Sequence, residues 1–330
     1  MSIRSTFTRG AQALENPVFD RDDLPLVLVL PGLFLFSAFM FYPILYSVYL
    51  SLTDATNLTL FTNSFSFVGF ENYENVLFGT PHFKLVLFGT STTLPLNEGF
   101  WNSMGISWLF VVTSVSLKVA LSIGIALVLT NPYVIGRRYM RSLIIVPMGL
   151  PTIFTITVWR GIFSNARYGL ANQVLKGIHL QSILWLDQRW TAFLAYNVTE
   201  AWLAYPFMVI IIVSALQDVP EELHDAAMVD GAGFLNRFLH VTLPSIKRPV
   251  LFASILTAAA SFQQFLIPYV MNKGGPLRQN ELLIVYGYRE AFRFDKYGKG
   301  AAIMTATLIV ISGFMVLNVK RGRLAEGVNE

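Results

Sequence analysis

Long apolar runs alternate with shorter polar stretches along this chain. The first run, Leu24 to Thr53, is thirty residues without a charged side chain; the second, about Phe100 to Thr130, is interrupted only by Lys118. The third covers Ser142 to Trp159, and the fourth, Trp190 to Gln217, contains Glu200. The fifth is Pro249 to Asn272, and the sixth, Gly300 to Val319, is again uncharged. About 20 mostly apolar residues cross ~30 Å of hydrocarbon as a helix, and backbone groups in lipid must bond internally. The runs lack the strict alternation of a β-barrel. The pattern predicts an all-α membrane protein with six transmembrane helices. Pro31, Pro43, Pro147, Pro151, Pro206 and Pro268 lie in or near the spans and predict kinks.

Composition sharpens this picture. Of 330 residues, 54% are hydrophobic and 13% charged, against about 25% charged in a soluble domain. Disorder and a simple cytosolic enzyme are both excluded. With no cysteine, there are no disulfides, thiolate metal sites or cysteine nucleophiles. The total of Lys and Arg does not discriminate between the two sides, but short loops and helix ends carry most weight. The connection Asn131 to Arg141 holds Arg137, Arg138 and Arg141 without an acid, and Lys320, Arg321 and Arg323 crowd the tail. Both fall on the side of the termini, which are therefore expected in the cytoplasm. The expected organisation is a cytoplasmic segment 1–23, a first helix 24–53, an extracytoplasmic loop 54–99, a five-helix core 100–320 and a cytoplasmic tail 321–330. No repeat relates the two halves, unlike many secondary transporters.

The most informative inner segment, 218–244, lies between spans four and five. Asp218, Pro220 and Glu221 read as a helix start with a capping carboxylate, and that helix is expected to reach about Asp230. Gly231 and Gly233 permit a sharp turn. A second helix carries Phe234, Phe238 and Val241 on one face, with Pro244 expected to stop it. Taken alone, this is an amphipathic helix-turn-helix lying on the cytoplasmic side. Its sequence, however, stands as Asp225-Ala226-Ala227, Asp230-Gly231-Ala232 and Leu243-Pro244. That spacing resembles the coupling loop of ATP-binding-cassette importer permeases, with Asp225 in place of the usual glutamate.

Further stretches resemble the carbohydrate branch of that family, typified by the maltose and glycerol-phosphate systems. They are Phe67-Val-Gly-Phe-Glu-Asn-Tyr73, Trp159 with Tyr168-Gly-Leu-Ala-Asn172, Asn272-Lys-Gly-Gly-Pro276, Tyr288-Arg-Glu-Ala-Phe292 and Tyr297-Gly298. The large extra outer domain and additional N-terminal helices of the larger maltose permease find no match here. The resemblance implies alternating access in a prokaryotic inner membrane. The partners it implies are a second, similar permease, two copies of a nucleotide-binding ATPase and an extracytoplasmic sugar-binding protein. ATP and Mg would sit on those ATPase subunits, and the segment Asp225 to Ala232 would pass their movement to the spans as a nearly rigid lever.

Within span four, Glu200, Ala204 and Phe207 fall within about 60° of one another; Thr257, Ser261 and Gln264 repeat the spacing in span five. At ~1.5 Å per residue the trios lie roughly 15 to 25 Å and 12 to 22 Å deep, overlapping near the midplane. A sugar requires hydroxyl-matching groups and an apolar wall, which Glu200, Thr257, Ser261 and Gln264 supply together with Phe207 or Tyr205. By resemblance, the same six positions bind sugar in the maltose-type permease. Taken singly, Thr257 and Ser261 are expected to bond backbone or a neighbouring helix. Glu200, costing roughly 2.5–3.5 kcal/mol at a helix centre, is expected to face a cavity or partner. Lys118 and Arg160 are expected to reach toward the headgroups.

The function expected is that of a permease half-channel for a delivered sugar, or for a glycerol phosphate or polyol. No Gly-x-x-x-x-Gly-Lys-Ser/Thr phosphate loop is present, Gly298-Lys299-Gly300 lacking its hydroxyl and upstream glycine. The chain is expected not to be an enzyme and to bind no cofactor, metal or nucleic acid. The rival is a self-contained secondary transporter using Glu200 as a proton site. An intramembrane enzyme lacks support, as there is no His-Glu-x-x-His pair.

Overall fold

A computed structural model describes residues 24–87 and 90–321. The expected inner segment 1–23 and the tail beyond Arg321 lie outside the described residues. The chain divides into two compact units, Met1–Leu50 and Ser51–Glu330.

In the first unit, α1 (Leu24–Phe36) continues through a π turn, Ser37–Phe41, into α2 (Tyr42–Ser51). Pro43 follows the π turn closely. A helical proline has no amide to donate and its ring crowds the carbonyl four residues back; the wider turn supplies the room.

The second unit begins with α3 (Asn57–Thr62) and α4 (Glu71–Phe78). Next come antiparallel strands β1 (His82–Leu87) and β2 (Thr90–Asn97). The architecture is mostly helical, as expected, with one two-stranded hairpin inside the stretch 54–99 expected as a loop, where threonines favour extended backbone. Then come α5 (Glu98–Thr130), α6 (Arg137–Gly149), α7 (Thr152–Ile162), α8 (Leu170–Gly177) and α9 (Arg189–Gln217). The remainder is α10 (Glu221–Val229), α11 (Phe234–Arg237), α12 (Leu243–Phe262), α13 (Leu266–Asn272), α14 (Leu283–Tyr288) and α15 (Tyr297–Arg321).

Among the described residues four helices are long and apolar enough to cross a membrane, or up to six if each of two bent pairs is one span. The third expected span is one of those pairs: where its prolines predict a kink, α6 and α7 meet at 99°. Pro151 drives Leu150 out of the helical region, to φ −88 and ψ 139. The fifth expected span bends by 44° between Phe262 and Leu266.

Two further expectations are corrected. Pro244 does not end a helix: α11 runs through a π turn, Phe238–Thr242, into α12, giving one rod from Phe234 to Phe262. Again the widened turn just precedes the proline. Asp218 does not cap α10; Pro220 is the capping residue and makes no side-chain cap bond, while Asp218 closes α9.

One face of α5 is buried along nearly its whole length: Ser103, Ser107, Phe110, Ser114, Lys118, Ser122 and Ala126. Small side chains let membrane helices approach closely. Accordingly Ala126 packs with Met208, Ile212 and Ala215 of α9 and with Ile246 and Ala253 of α12.

Candidate functional site

Where α5, α9 and α12 meet, four polar side chains converge. Lys118 Nζ lies 3.0 Å from Glu200 Oε1 and donates to Ser261 Oγ at 2.7 Å. Ser261 Oγ is also 3.1 Å from Glu200 Oε1 and 3.0 Å from its own helix's Thr257 carbonyl. Gln264 Nε2 donates to Glu200 Oε2 at 2.6 Å, so both carboxylate oxygens are engaged. Lys118 is 0% exposed and Glu200 4%. Lys118 therefore does not reach toward headgroups: its ammonium turns inward to the carboxylate, which a buried cation requires.

Of the six expected path residues, Glu200, Ser261 and Gln264 join this network. Thr257 is buried beside it, its hydroxyl without a partner. Ala204 is half-buried and Phe207 is 37% exposed; neither is part of the network. The polar seam extends along α5 and α9, where Thr113 donates to Asn197 Oδ1 at 2.8 Å and Ser122 to the Tyr205 carbonyl at 3.3 Å. Sequence reasoning missed Lys118, although Ser107, Ser114, Lys118 and Ser122 share one helical face by spacing alone. Chemically, the cluster is a charge-neutral set of donors and acceptors, with Gln264 half-buried at its edge and able to exchange bonds with a hydroxylated solute.

The other end of the α11–α12 rod carries the second candidate site. The Ala232 amide donates to the Ala227 carbonyl at 2.8 Å and the Gly231 amide to the Met228 carbonyl at 3.0 Å. Those bonds, with Gly231 at φ +79, form a Schellman motif closing α10. The Ala-Ala and Asp-Gly-Ala stretches are thus one local device: Asp225, Ala226, Asp230 and Gly231 are exposed, while Ala227 and Ala232 are half-buried. Leu243 is half-buried and Pro244 exposed further along the rod. Around this elbow Leu223, Met228, Phe234 and Leu235 are exposed, and Val229 reaches 89%. These residues form an exposed apolar cluster at the tip of the α10–α11 turn.

The other recurrent stretches are brackets. Asn72 Nδ2 donates to the Ser51 and Thr53 carbonyls at 2.9 and 2.7 Å, and Tyr73 bonds Ser51 Oγ at 2.6 Å. Asn172 bonds the Ile183 backbone both ways and accepts from Trp185 Nε1. Asn272 accepts from the Tyr196 hydroxyl and donates to the Leu186 carbonyl. Above it, buried Glu281 is paired with Arg278 at 2.7 Å and Arg289 at 2.9 Å. Burial is the main influence on that carboxyl and raises its pKa above 4.5; the two arginines oppose the rise and Glu290 adds to it.

This arrangement of helices is that of ABC importer permeases. The chain superposes with a TM-score of 0.71 on a subunit in a crystal structure of a bacterial ABC transporter involved in importing the acidic polysaccharide alginate; identity is 17%, over 92% of this chain and 96% of that one. In sequence it is 30% identical over 300 residues to the trehalose/maltose transport system permease protein MalF of Thermococcus litoralis, covering 90% of this chain and 92% of that protein. It is equally 30% identical over 284 residues to the sulfoquinovosyl glycerol transport system permease protein SmoG of Agrobacterium fabrum, covering 85% and 84%. Residues 118–325 match the family described as binding-protein-dependent transport system inner membrane component, and the chain belongs to that family. It is a transmembrane permease subunit of a binding-protein-dependent ABC importer.

Proposed function

We propose that this chain forms half of the translocation path for a saccharide delivered by an extracytoplasmic binding protein. A second permease completes the path, and two ATPase subunits drive it. In this reading the bent pairs α6–α7 and α12–α13 each cross once, giving six spans, and the basic residues Arg137, Arg138, Arg141 and Lys320 favour the cytoplasm for the side of the termini and the α10–α11 elbow. Glu200, Ser261 and Gln264, held by Lys118, supply the polar wall of the path, with Thr257, Ala204 and Phe207 beside it. Asp225 to Ala232, with Leu243 and Pro244, meet the ATPase.

The observation that carries this reading is the continuous rod Phe234–Phe262, which joins the exposed apolar elbow to Ser261. ATP and Mg then belong to partner subunits, and the saccharide class follows from the relatives' transport systems. A proton-coupled carrier would have to release Glu200 from Lys118, Ser261 and Gln264 to exchange a proton.

Reconstitution tests this directly. Vesicles containing the whole complex should take up saccharide with ATP hydrolysis, and vesicles containing this polypeptide alone should not. Accumulation of solute by the isolated chain would overturn the proposal.

A further inference from the structure

The 44° bend between α12 and α13 leaves Gln264 and Phe265 half-buried at the start of a line of aromatic rings. Phe265 stacks on Tyr269 at 4.7 Å and meets Tyr288 at 4.9 Å; Tyr288 meets Phe292 at 5.0 Å, and Phe292 meets Tyr297 at 5.5 Å. The line thus runs from the residue beside Gln264 to the first residue of α15, at the end of the bundle away from the elbow. Tyr288 and Phe292 are exposed. Only Phe265 and Tyr269 stack; Tyr288 and Phe292 are tilted or edge-on to their neighbours, which leaves ring faces open to a ligand.

Beside these rings lies a cleft of about 300 Å³ whose walls include Tyr269, Tyr288, Phe292, Lys273, Arg289 and Arg293 and no carboxylate. That volume is at the lower end of small-molecule sites, ~300–1,000 Å³. Arg289 is held by Glu281 and by the Lys273 carbonyl, at 2.9 and 2.7 Å. Lys273 and Arg293 are exposed, and among the described ion pairs neither has a partner. Aromatic faces flanked by unpaired cations match a sugar ring carrying an acidic substituent, the ring stacking while the anion meets the fork of Arg293 and the ammonium of Lys273.

We infer that this strip is an outer subsite for an acidic saccharide, passing one ring at a time toward Gln264. The inference rests on the permease reading above and adds to it the class of sugar and the approach route.

The test uses the intact importer complex in nanodiscs of zwitterionic lipid, titrated calorimetrically with digalacturonate and with its uncharged counterpart galactobiose. At low salt digalacturonate should bind roughly five- to tenfold more tightly. The double variant K273Q/R293Q should remove that preference by weakening digalacturonate far more than galactobiose. The variant Y288L/F292L should weaken both sugars while the complex keeps its subunit ratio. Equal affinities in the unaltered protein, a preference that survives K273Q/R293Q, or no binding of either sugar would each overturn the inference; the last is expected if another protein covers the rings. Stabilisation by phosphatidylglycerol that K273Q/R293Q abolishes, without any sugar preference, would assign the cations to lipid and overturn it too. ATP-driven uptake by the same complex is measured in parallel, so failure of the subsite and failure of the permease reading remain distinguishable.

Discussion

Lys118 and Glu200, 82 positions apart in sequence, form an ion pair of 3.0 Å between two helices that are each long and apolar enough to span a membrane. Removing one member of a buried pair strands the other, at a cost of about 3–5 kcal/mol, whereas replacing both with apolar groups is often neutral. Lys118→Met and Glu200→Met should each lower the unfolding midpoint of the purified complex sharply, and K118M/E200M should recover much of it. A double-mutant cycle in detergent gives the coupling. Additive losses would show that the pair does not hold α5 to α9.

Gln264 gives Glu200 its second strong hydrogen bond, at 2.6 Å, and is half-buried at the edge of the cluster. A hydrogen bond to a charged group contributes ~1.5–3 kcal/mol. Gln264→Leu should therefore change uptake KM or solute preference by about tenfold or more while the ATPase subunits stay attached. Unchanged kinetics with every solute tried would remove Gln264 from the path.

Gly231 stands at φ +79 with open space where a Cβ would be. Substitution there strains the backbone rather than creating a clash. A left-handed L-residue costs roughly 1–2 kcal/mol, and a β-branched one tolerates the region poorly. Gly231→Val should leave membrane insertion intact, loosen the turn closing α10 and reduce ATP-dependent uptake, with Gly231→Ala intermediate. Copurification of ATPase subunits at the normal ratio together with normal uptake would sink this expectation.

Burial raises the Glu281 carboxyl above 4.5, against Arg278 and Arg289 and with Glu290. As pH rises past that value the unfolded chain ionises first, so the folded segment loses stability across the interval up to the raised pKa and is most stable on the acid side. Amide exchange around residues 274–290 should accelerate as pH rises past 4.5, beyond its intrinsic pH dependence, and Glu281→Gln should flatten that trend. The opposite slope would mean that the arginines outweigh burial.

Much of this architecture is written in the apolar runs. The ends of α5 and α9 fall within two residues of those expected, because nothing but hydrocarbon length and local caps decides them. The elbow was legible for a different reason, since Ala227 and Gly231 occupy fixed places in a Schellman turn. Pairing was harder to read. Lys118 looks like an interfacial lysine until α9 brings Glu200 to it, an event remote in sequence. The break at Leu150–Pro151 and the continuity through Pro244 show that proline has no fixed meaning in such chains. A wider helical turn just ahead of Pro43 and Pro244 lets the helix continue, and at Pro151 the helix instead ends.

Because α11, the π turn and α12 form one piece, there is no slack between the tip beside Gly231 and the seat of Ser261. Twenty-nine residues at ~1.5 Å each make a shaft of roughly 40 Å, so tilting the end beside Gly231 by a few degrees shifts its far end by a few ångströms. That is comparable to the bonds by which Ser261 and Gln264 grip Glu200. Push and release would then occur in the same instant, without any intermediary part.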